Sequence, residues 1–182
     1  IWLASVSVSD IDVAIKRYTD NGGRLLVEPF NIDNTGKQVI LEGPLGEKMA
    51  YINNPASPVS LLDNGPNQWI WTELWSNNVD KSKTFYENVW NLDITSSEIQ
   101  SQPYWYFEKE GRKVAGMIKN PAKGTNSQWV PYLNISDISS LNDTLKTYDV
   151  NIMLDPLETE SGTILVFQDP HGATVSAQNY SK

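Results

Sequence analysis

The chain has 182 residues, of which 40% are hydrophobic and 10% aromatic, and this is long and apolar enough for a packed core. Its net charge of -8, with scattered basic residues, argues against a nucleic-acid partner. No apolar run reaches the roughly 18 to 20 residues of a membrane span, and the absence of cysteine excludes disulfides, zinc-thiolate sites and a thiol nucleophile. We therefore expect a folded, soluble protein of the cytoplasm with neither a membrane nor a nucleic acid as partner.

The sequence pattern of residues 1–54 predicts a strand, a helix and three further strands. The alternation in WLASVSV indicates a half-buried strand, and an aspartate in the following segment DIDVAIKRY can cap the first turn of an amphipathic helix. Three short strands separated by turn signals complete the unit. Residues 68–120 and 127–180 show the same order, so the chain predicts three βαβββ units.

Direct comparison of the units supports a repeat, because matching residues keep one register over a long stretch. The aligned pairs are Trp2 with Trp129, Asp10 with Asp137, Pro29 with Pro156 and, in the middle unit, Asp80 and Tyr86 with Asp12 and Tyr18. Between the first two units, residues 55–67 are rich in proline and lack periodicity, which predicts a linker.

Two segments carry a resemblance to a known family. VDKSKTFYENVWNLDI follows the first strand of the middle unit, and DPHGATVSAQ closes the last unit. In this arrangement the chain resembles the vicinal oxygen chelate superfamily, which includes glyoxalase I, bleomycin-resistance proteins and extradiol dioxygenases. The resemblance implies an α+β fold in which βαβββ units pair into curved mixed sheets that form a cleft for substrate and metal.

The same resemblance has consequences for the domain organisation. Units 68–120 and 127–180 can pair into one complete module over residues 68–182, whereas unit 1–54 is left as a half-module. Such a half-module would expose a sheet edge and half a core. We expect either that the chain lacks a preceding unit or that residues 1–54 pair with the same unit of a second chain in a homodimer.

Metal positions implied by the resemblance do not carry metal-binding side chains. The first-strand positions fall on Leu3, Trp71 and Val130, and the last-strand positions fall on Ala50 and Ser176. Divalent metals need nitrogen and oxygen donors such as histidine and carboxylates. We therefore expect no metal and no cofactor, and a shift of register by two residues would offer only Glu73 and Gln178.

The residues expected to line the cleft come from alternate positions of the strands. The PYWYF run leaves two possibilities open, with either Tyr104 and Tyr106 or Trp105 and Phe107 pointing inward. The alternative for Trp71 and Trp75 is that they mainly pack in the core. The candidate ligand-binding residues are Trp71, Glu73, Trp75, Tyr104, Tyr106, Met117, Tyr132 and Gln178.

An aromatic cleft with one carboxylate suits a small, flat or cationic organic molecule. The leading hypothesis is therefore a glyoxalase/bleomycin-resistance-like protein that binds a small organic molecule without metal. The alternatives are a metal-dependent lyase or dioxygenase of the same superfamily, with ligands misplaced here or supplied by a missing unit, and a purely structural role. The single histidine, His171, lies in a DPHG turn whose equivalent in the first unit has Leu45, so we expect a solvent-facing turn residue.

Overall fold

Three βαβββ units follow one another along the chain, as the repeat predicts. The computed structural model describes residues 2–32, 36–54, 65–148 and 150–180. The elements are β1 (Ala4–Ser7), α1 (Ile11–Asp20), β2 (Arg24–Ile32), β3 (Gly36–Glu42), β4 (Lys48–Asn53), β5 (Trp69–Ser76), α2 (Val79–Trp90), β6 (Asp93–Ile99), β7 (Gln102–Lys109), β8 (Arg112–Lys119), β9 (Gln128–Asn134), α3 (Ile138–Thr147), β10 (Asn151–Thr159), β11 (Gly162–Gln168) and β12 (Thr174–Tyr180). Most of the predicted linker 55–67 lies outside the described residues, which resume at residue 65.

The strands form two mixed sheets. The first unit makes a four-stranded sheet in the order β1-β4-β3-β2, and the other two units make an eight-stranded sheet in the order β10-β11-β12-β9-β5-β8-β7-β6. In each unit the first strand pairs in parallel with the last, and the other pairs in the unit are antiparallel. The α+β fold of repeated units in curved mixed sheets is therefore confirmed.

Each helix begins directly after a side-chain cap. The Asp10 carboxylate accepts hydrogen bonds from the backbone N–H groups of Asp12 and Val13, and Asp137 accepts one from Ser140. In the middle unit the cap is Asn78 rather than an aspartate. Such a cap contributes about 1 kcal/mol because it satisfies a backbone donor that has no partner within the helix. None of the described helices is long and apolar enough to cross a membrane.

The described residues group into two compact units that do not follow the sequence repeats. The larger compact unit contains residues 3–54 and 73–129, and the smaller one contains residue 2, residues 65–72 and residues 130–180. The core of the smaller compact unit is built on Ile138, Leu165 and Ala177, so α3 covers one face of its strands.

Aromatic side chains dominate the core of the larger compact unit. Tyr18 of α1 and Phe85 of α2 meet edge to face with ring centroids 4.9 Å apart, and Tyr86 packs against Phe107 and Trp129. Pairs in this geometry stabilise a core beyond the area that they bury. The helices α1 and α2 therefore share one apolar core with the strands of this unit.

A buried carboxylate lies inside that core. Glu47 has no exposed surface, and its Oε1 atom accepts a hydrogen bond of 3.0 Å from the Tyr86 hydroxyl. The Tyr86 oxygen in turn accepts one of 3.1 Å from Nε1 of Trp129. Burial raises the pKa of the Glu47 carboxyl, against the lowering effect of the hydrogen bonds that it accepts.

Candidate functional site

The register of three strands brings a glutamate, a glycine and a tyrosine into one row. Glu73 of β5 lies opposite Gly116 of β8, and Gly116 lies opposite Tyr106 of β7. Residues that are direct partners in a sheet point to the same face, so Glu73 and Tyr106 flank a position that has no side chain. Trp75 joins them by strand alternation, which also places Trp71 on this face of β5.

The Glu73 carboxylate is oriented by its neighbour on the same strand. Nε1 of Trp75 donates a hydrogen bond of 2.9 Å to Oε1 of Glu73, and the two residues are 4% and 5% exposed respectively. A buried carboxylate needs such donors because its desolvation is costly. Trp75 thus packs in the interior and orients Glu73, whereas Trp71 is half-buried.

The register also shows which residues of the PYWYF run share the face of Glu73. Tyr106 shares its face with Glu73, and Tyr104 joins it by alternation with ring centroids 4.8 Å apart. Trp105 lies opposite Met117. Together with Phe107 it packs in the core of the larger compact unit, which we call the main core. We refer to the set formed by Glu73, Trp75, Tyr104, Tyr106 and Gly116 as the aromatic face.

Met117 does not belong to the aromatic face. It lies opposite Leu74 of β5 and Trp105 of β7, it has no exposed surface, and it is part of the main core. The sequence pattern predicts Met117 on the floor of a cleft together with Glu73. The structure instead places it on the opposite side of the sheet, because its neighbour Gly116 occupies the row of Glu73.

A bulge adds a cation to this region. The ladder between β7 and β8 shifts from the pair Phe107/Ala115 to the pair Glu108/Lys113, so Val114 has no partner. The Lys113 ammonium lies 3.6 Å from the centroid of the Tyr106 ring. A shallow concavity of about 320 Å³ lies near this end of β7, and its lining includes Glu108.

In the smaller compact unit, further candidates share one face of β9 and β12. Tyr132 lies opposite Ser176, and Asn134 lies opposite Gln178. The Gln178 amide donates hydrogen bonds of 3.0 Å to the backbone oxygen and to the hydroxyl of Ser161. The Ser176 hydroxyl is buried and has no hydrogen-bond partner.

These donors do not fit the metal that the fold family implies. The positions that would supply ligands carry the side chains of Trp71, Val130 and Ser176, and the Ser176 hydroxyl is a neutral, weak donor. In the described part of the chain, His, Cys, Asp and Glu residues form no group of three or more that could hold a metal ion. The residues present therefore do not make a metal site of the family type.

Two residues of this region are not among those that the sequence pattern predicts. Gly116 interrupts the apolar strand KVAGMIK, and a glycine inside a strand signals a close approach or a bulge. The sequence pattern does not single out Lys113, because the face on which it lies depends on the bulge at Val114.

His171 is exposed in its turn, as expected. There Asp169 accepts hydrogen bonds from the backbone N–H groups of His171 and Ala173.

Repeated βαβββ units in mixed sheets define a protein of the vicinal oxygen chelate fold. The chain belongs to the Glyoxalase/Bleomycin resistance protein/Dioxygenase superfamily, whose family model matches residues 69–176. It is 25% identical over 178 residues to "Putative glyoxylase CFP32" of Mycobacterium tuberculosis, and the match covers 97% of this chain and 68% of that protein. It is 21% identical over 179 residues to the anthracycline biosynthesis protein DnrV of Streptomyces peucetius, with coverage of 97% and 64%.

Solved structures show the same fold. The 2,3-dioxygenase LapB from Pseudomonas sp. KL28 matches 96% of this chain and 69% of its own with a TM-score of 0.57 and 15% identity. A catechol 2,3-dioxygenase matches 96% of this chain and 66% of its own with a TM-score of 0.55 and 12% identity. At this level of identity the likeness concerns the fold and carries no reaction to this chain.

Proposed function

We propose that the protein binds a small, flat organic molecule on the aromatic face without a metal. The observation that carries the proposal is the row Glu73–Gly116–Tyr106, in which a carboxylate and an aromatic ring flank a position with no side chain. Adjacent strands are about 4.8 Å apart, so the two flanking Cα atoms are separated by roughly 10 Å. A flat ring placed over Gly116 would lie between the carboxylate and the tyrosine.

The chemistry of the aromatic face matches such a ligand. Tyr104 and Tyr106 offer aromatic surface for stacking, and Glu73 can pair with a positive group or accept a proton. The hydrogen bond from Trp75 fixes one carboxylate oxygen before a ligand arrives, which lowers the entropic cost of binding. No step in this proposal requires a metal ion.

A binding screen with matched variants tests the proposal. Tryptophan fluorescence and thermal shift would be recorded with catechol, S-hexylglutathione, bleomycin and benzyltrimethylammonium as probes. We expect Gly116→Val to weaken a confirmed probe at least tenfold, because the added side chain fills the position between Glu73 and Tyr106. Ser96→Val places the same side chain at an exposed position of β6 that lies opposite Trp105, on the other side of the sheet, and serves as control.

Failure has a clear signature in that screen. Equal affinity of Gly116→Val and the wild type for every probe that binds would refute the aromatic face as the site. Circular dichroism of both variants separates a lost site from a lost fold. Trp71, Tyr132 and Gln178 remain predictions, so Trp71→Phe, Tyr132→Phe and Gln178→Ala belong in the same screen.

A metal-dependent lyase or dioxygenase of the same superfamily is the alternative, because the family model that matches residues 69–176 includes both glyoxalases and dioxygenases. Elemental analysis separates the two proposals. Stoichiometric zinc, nickel, iron or manganese in the purified protein would contradict binding without metal. A metal content far below one ion per chain would agree with it.

We also propose that residues 68–182 act as one module and that residues 1–54 pair with the same unit of a second chain. Support comes from the strand order, because β5 and β9 are central in their sheet while the equivalent strand β1 is last in its own. A proline at Val6 would remove a backbone donor from that strand. Light scattering should then give the mass of a dimer for the wild type and of a monomer for Val6→Pro, and a monomeric wild type would refute this pairing.

A further inference from the structure

The bulge at Val114 determines which face of the sheet receives Lys113. Strand alternation without a bulge would put Lys113 on the side of Ala115 and Met117, which belong to the main core. The unpaired Val114 offsets the alternation by one residue, so Lys113 becomes the partner of Glu108 on the side of Tyr106. Bulges of this kind often redirect a side chain beside a functional site.

The redirected lysine lies on an aromatic ring. Its ammonium is 3.6 Å from the centroid of Tyr106, well inside the roughly 6 Å at which a cation is attracted to a ring face. Tyr106 also contacts Tyr104, and it shares a row with the Glu73 carboxylate. In the protein without ligand, the Lys113 ammonium therefore lies over the Tyr106 ring.

The charges around this ring favour a positive group. Glu73 lies in the row of Tyr106, Glu108 lies opposite Lys113, and Asp93 lies opposite Glu108. Among the described residues of β6, β7 and β8, Lys113 is the only basic residue that the register places on the same side of the sheet as these three acids. An anionic ligand would meet an excess of carboxylates, whereas a cation would be attracted.

We propose that the Tyr106 ring is a cation subsite and that Lys113 is an internal cation which the positive group of the ligand displaces. The ligand class is then an aromatic or small organic cation, such as an aryl-alkyl ammonium. This inference rests on the proposed function and names the chemistry of its ligand. Lys113 determines specificity, because only a ligand cation that binds the ring more favourably than the lysine can take its place.

Substitution of the lysine tests the competition directly. Lys113→Met keeps most of the aliphatic stem and removes the charge, so benzyltrimethylammonium should bind about two- to fivefold more tightly by calorimetry. Benzyl alcohol, a neutral analogue, should bind both proteins equally. Lys119→Met on the same strand but on the other side of the sheet is the matched control and should leave both affinities unchanged.

Two results would overturn the inference. Unchanged or weaker binding of benzyltrimethylammonium by Lys113→Met would show that the lysine does not compete with the cation. Tighter binding of benzoate than of the cation by the wild type, lost in Lys113→Met, would make the lysine an anchor for anions. If Gly116→Val binds like the wild type, the proposed function fails, whereas an effect of Gly116→Val without one of Lys113→Met refutes only the subsite.

Nuclear magnetic resonance observes the displacement itself. Reductive ¹³C-methylation of the lysines keeps their charge, and the signal missing from Lys113→Met identifies Lys113. That signal should be shifted by the Tyr106 ring in the free protein and should move toward the position of an exposed lysine as benzyltrimethylammonium is added. A signal that stays unshifted throughout, or stays in place up to millimolar probe, would contradict the inference.

Discussion

The Tyr86 hydroxyl donates a hydrogen bond to the Glu47 carboxylate, and neither residue has any exposed surface. The same hydroxyl oxygen accepts the indole N–H of Trp129, so one tyrosine satisfies two buried polar groups. Tyr86 lies in α2, Glu47 lies just before β4 and Trp129 lies in β9. The buried hydroxyl thus connects α2 to the segment before β4 and to β9 in the core of the larger compact unit.

Removal of that hydroxyl should destabilise the protein without changing the packing volume much. Tyr86→Phe deprives Glu47 of a donor and Trp129 of an acceptor, and we expect a loss of about 1–3 kcal/mol in the free energy of unfolding. Urea unfolding would measure it. Tyr148→Phe removes the same atom from a side chain that is 74% exposed, and a comparable loss in both variants would contradict the role of the buried bonds.

The buried carboxylate also predicts a dependence of stability on pH. Burial raises the pKa of Glu47 above its ordinary value of 4.5, so folding favours the protonated form. The stabilisation from this shift is fully present below pH 4.5 and is lost as the pH rises through the raised pKa of the folded state. Relative to Glu47→Gln, the wild type should lose stability across that window.

Urea unfolding of the wild type and Glu47→Gln at a series of pH values provides the measurement. The glutamine keeps an oxygen acceptor for Tyr86 but does not titrate. The other groups beside Glu47, which include Glu42, Tyr18 and Tyr86, are common to both proteins. A difference in stability that stays constant above pH 4.5 would show that Glu47 does not titrate with a raised pKa.

Two buried serines should respond in opposite ways to the same substitution. The Ser176 hydroxyl has no partner, whereas the Ser82 hydroxyl shares a hydrogen bond of 2.7 Å with Ser76. Ser176→Ala should leave the free energy of unfolding unchanged or raise it by up to about 1 kcal/mol, and Ser82→Ala should lower it by about 1 kcal/mol. A clear loss in Ser176→Ala would mean that a bound water or ligand satisfies this hydroxyl.

Trp75 offers a test of preorganisation at the aromatic face. Trp75→Phe keeps an aromatic ring but removes the N–H that holds Glu73, so the affinity for benzyltrimethylammonium should fall by about fivefold. In the Glu73→Gln background the same change should have a much smaller effect, since there is no carboxylate to orient. Trp105→Phe on the other side of the sheet is the control, and calorimetry of the four variants is the measurement.

Local chemistry explains why the order of elements could be read from the sequence. The helix caps and turns act over a few residues, and the repeat compares three copies of one plan, so Asp10 and Asp137 were identifiable without tertiary information. The choice between Tyr104 and Trp105 was different. Alternation predicts that they point to opposite sides, but only the pairing with Gly116 and Met117 tells which side faces Glu73.

Buried polar groups were harder to foresee. Glu47 stands in a turn sequence, GPLGEKM, where a charged residue is usually exposed, but it is buried and accepts a hydrogen bond from Tyr86 of α2. Met117 is apolar and fits either side of a sheet, so its type did not reveal that it belongs to the core. These features depend on contacts between segments far apart in the chain.

The unpaired Val114 is an extra residue that β8 accommodates without moving the lysine to the other face. Deletion of this residue would place Lys113 directly before Ala115, and strict alternation would then still put Lys113 opposite Glu108, on the side of Tyr106. A regular ladder that kept Val114 as the partner of Glu108 would instead turn Lys113 toward Phe107 and the apolar core, where a lone ammonium is costly. The bulge thus lets the strand vary by one residue in length while the charge stays beside Tyr106.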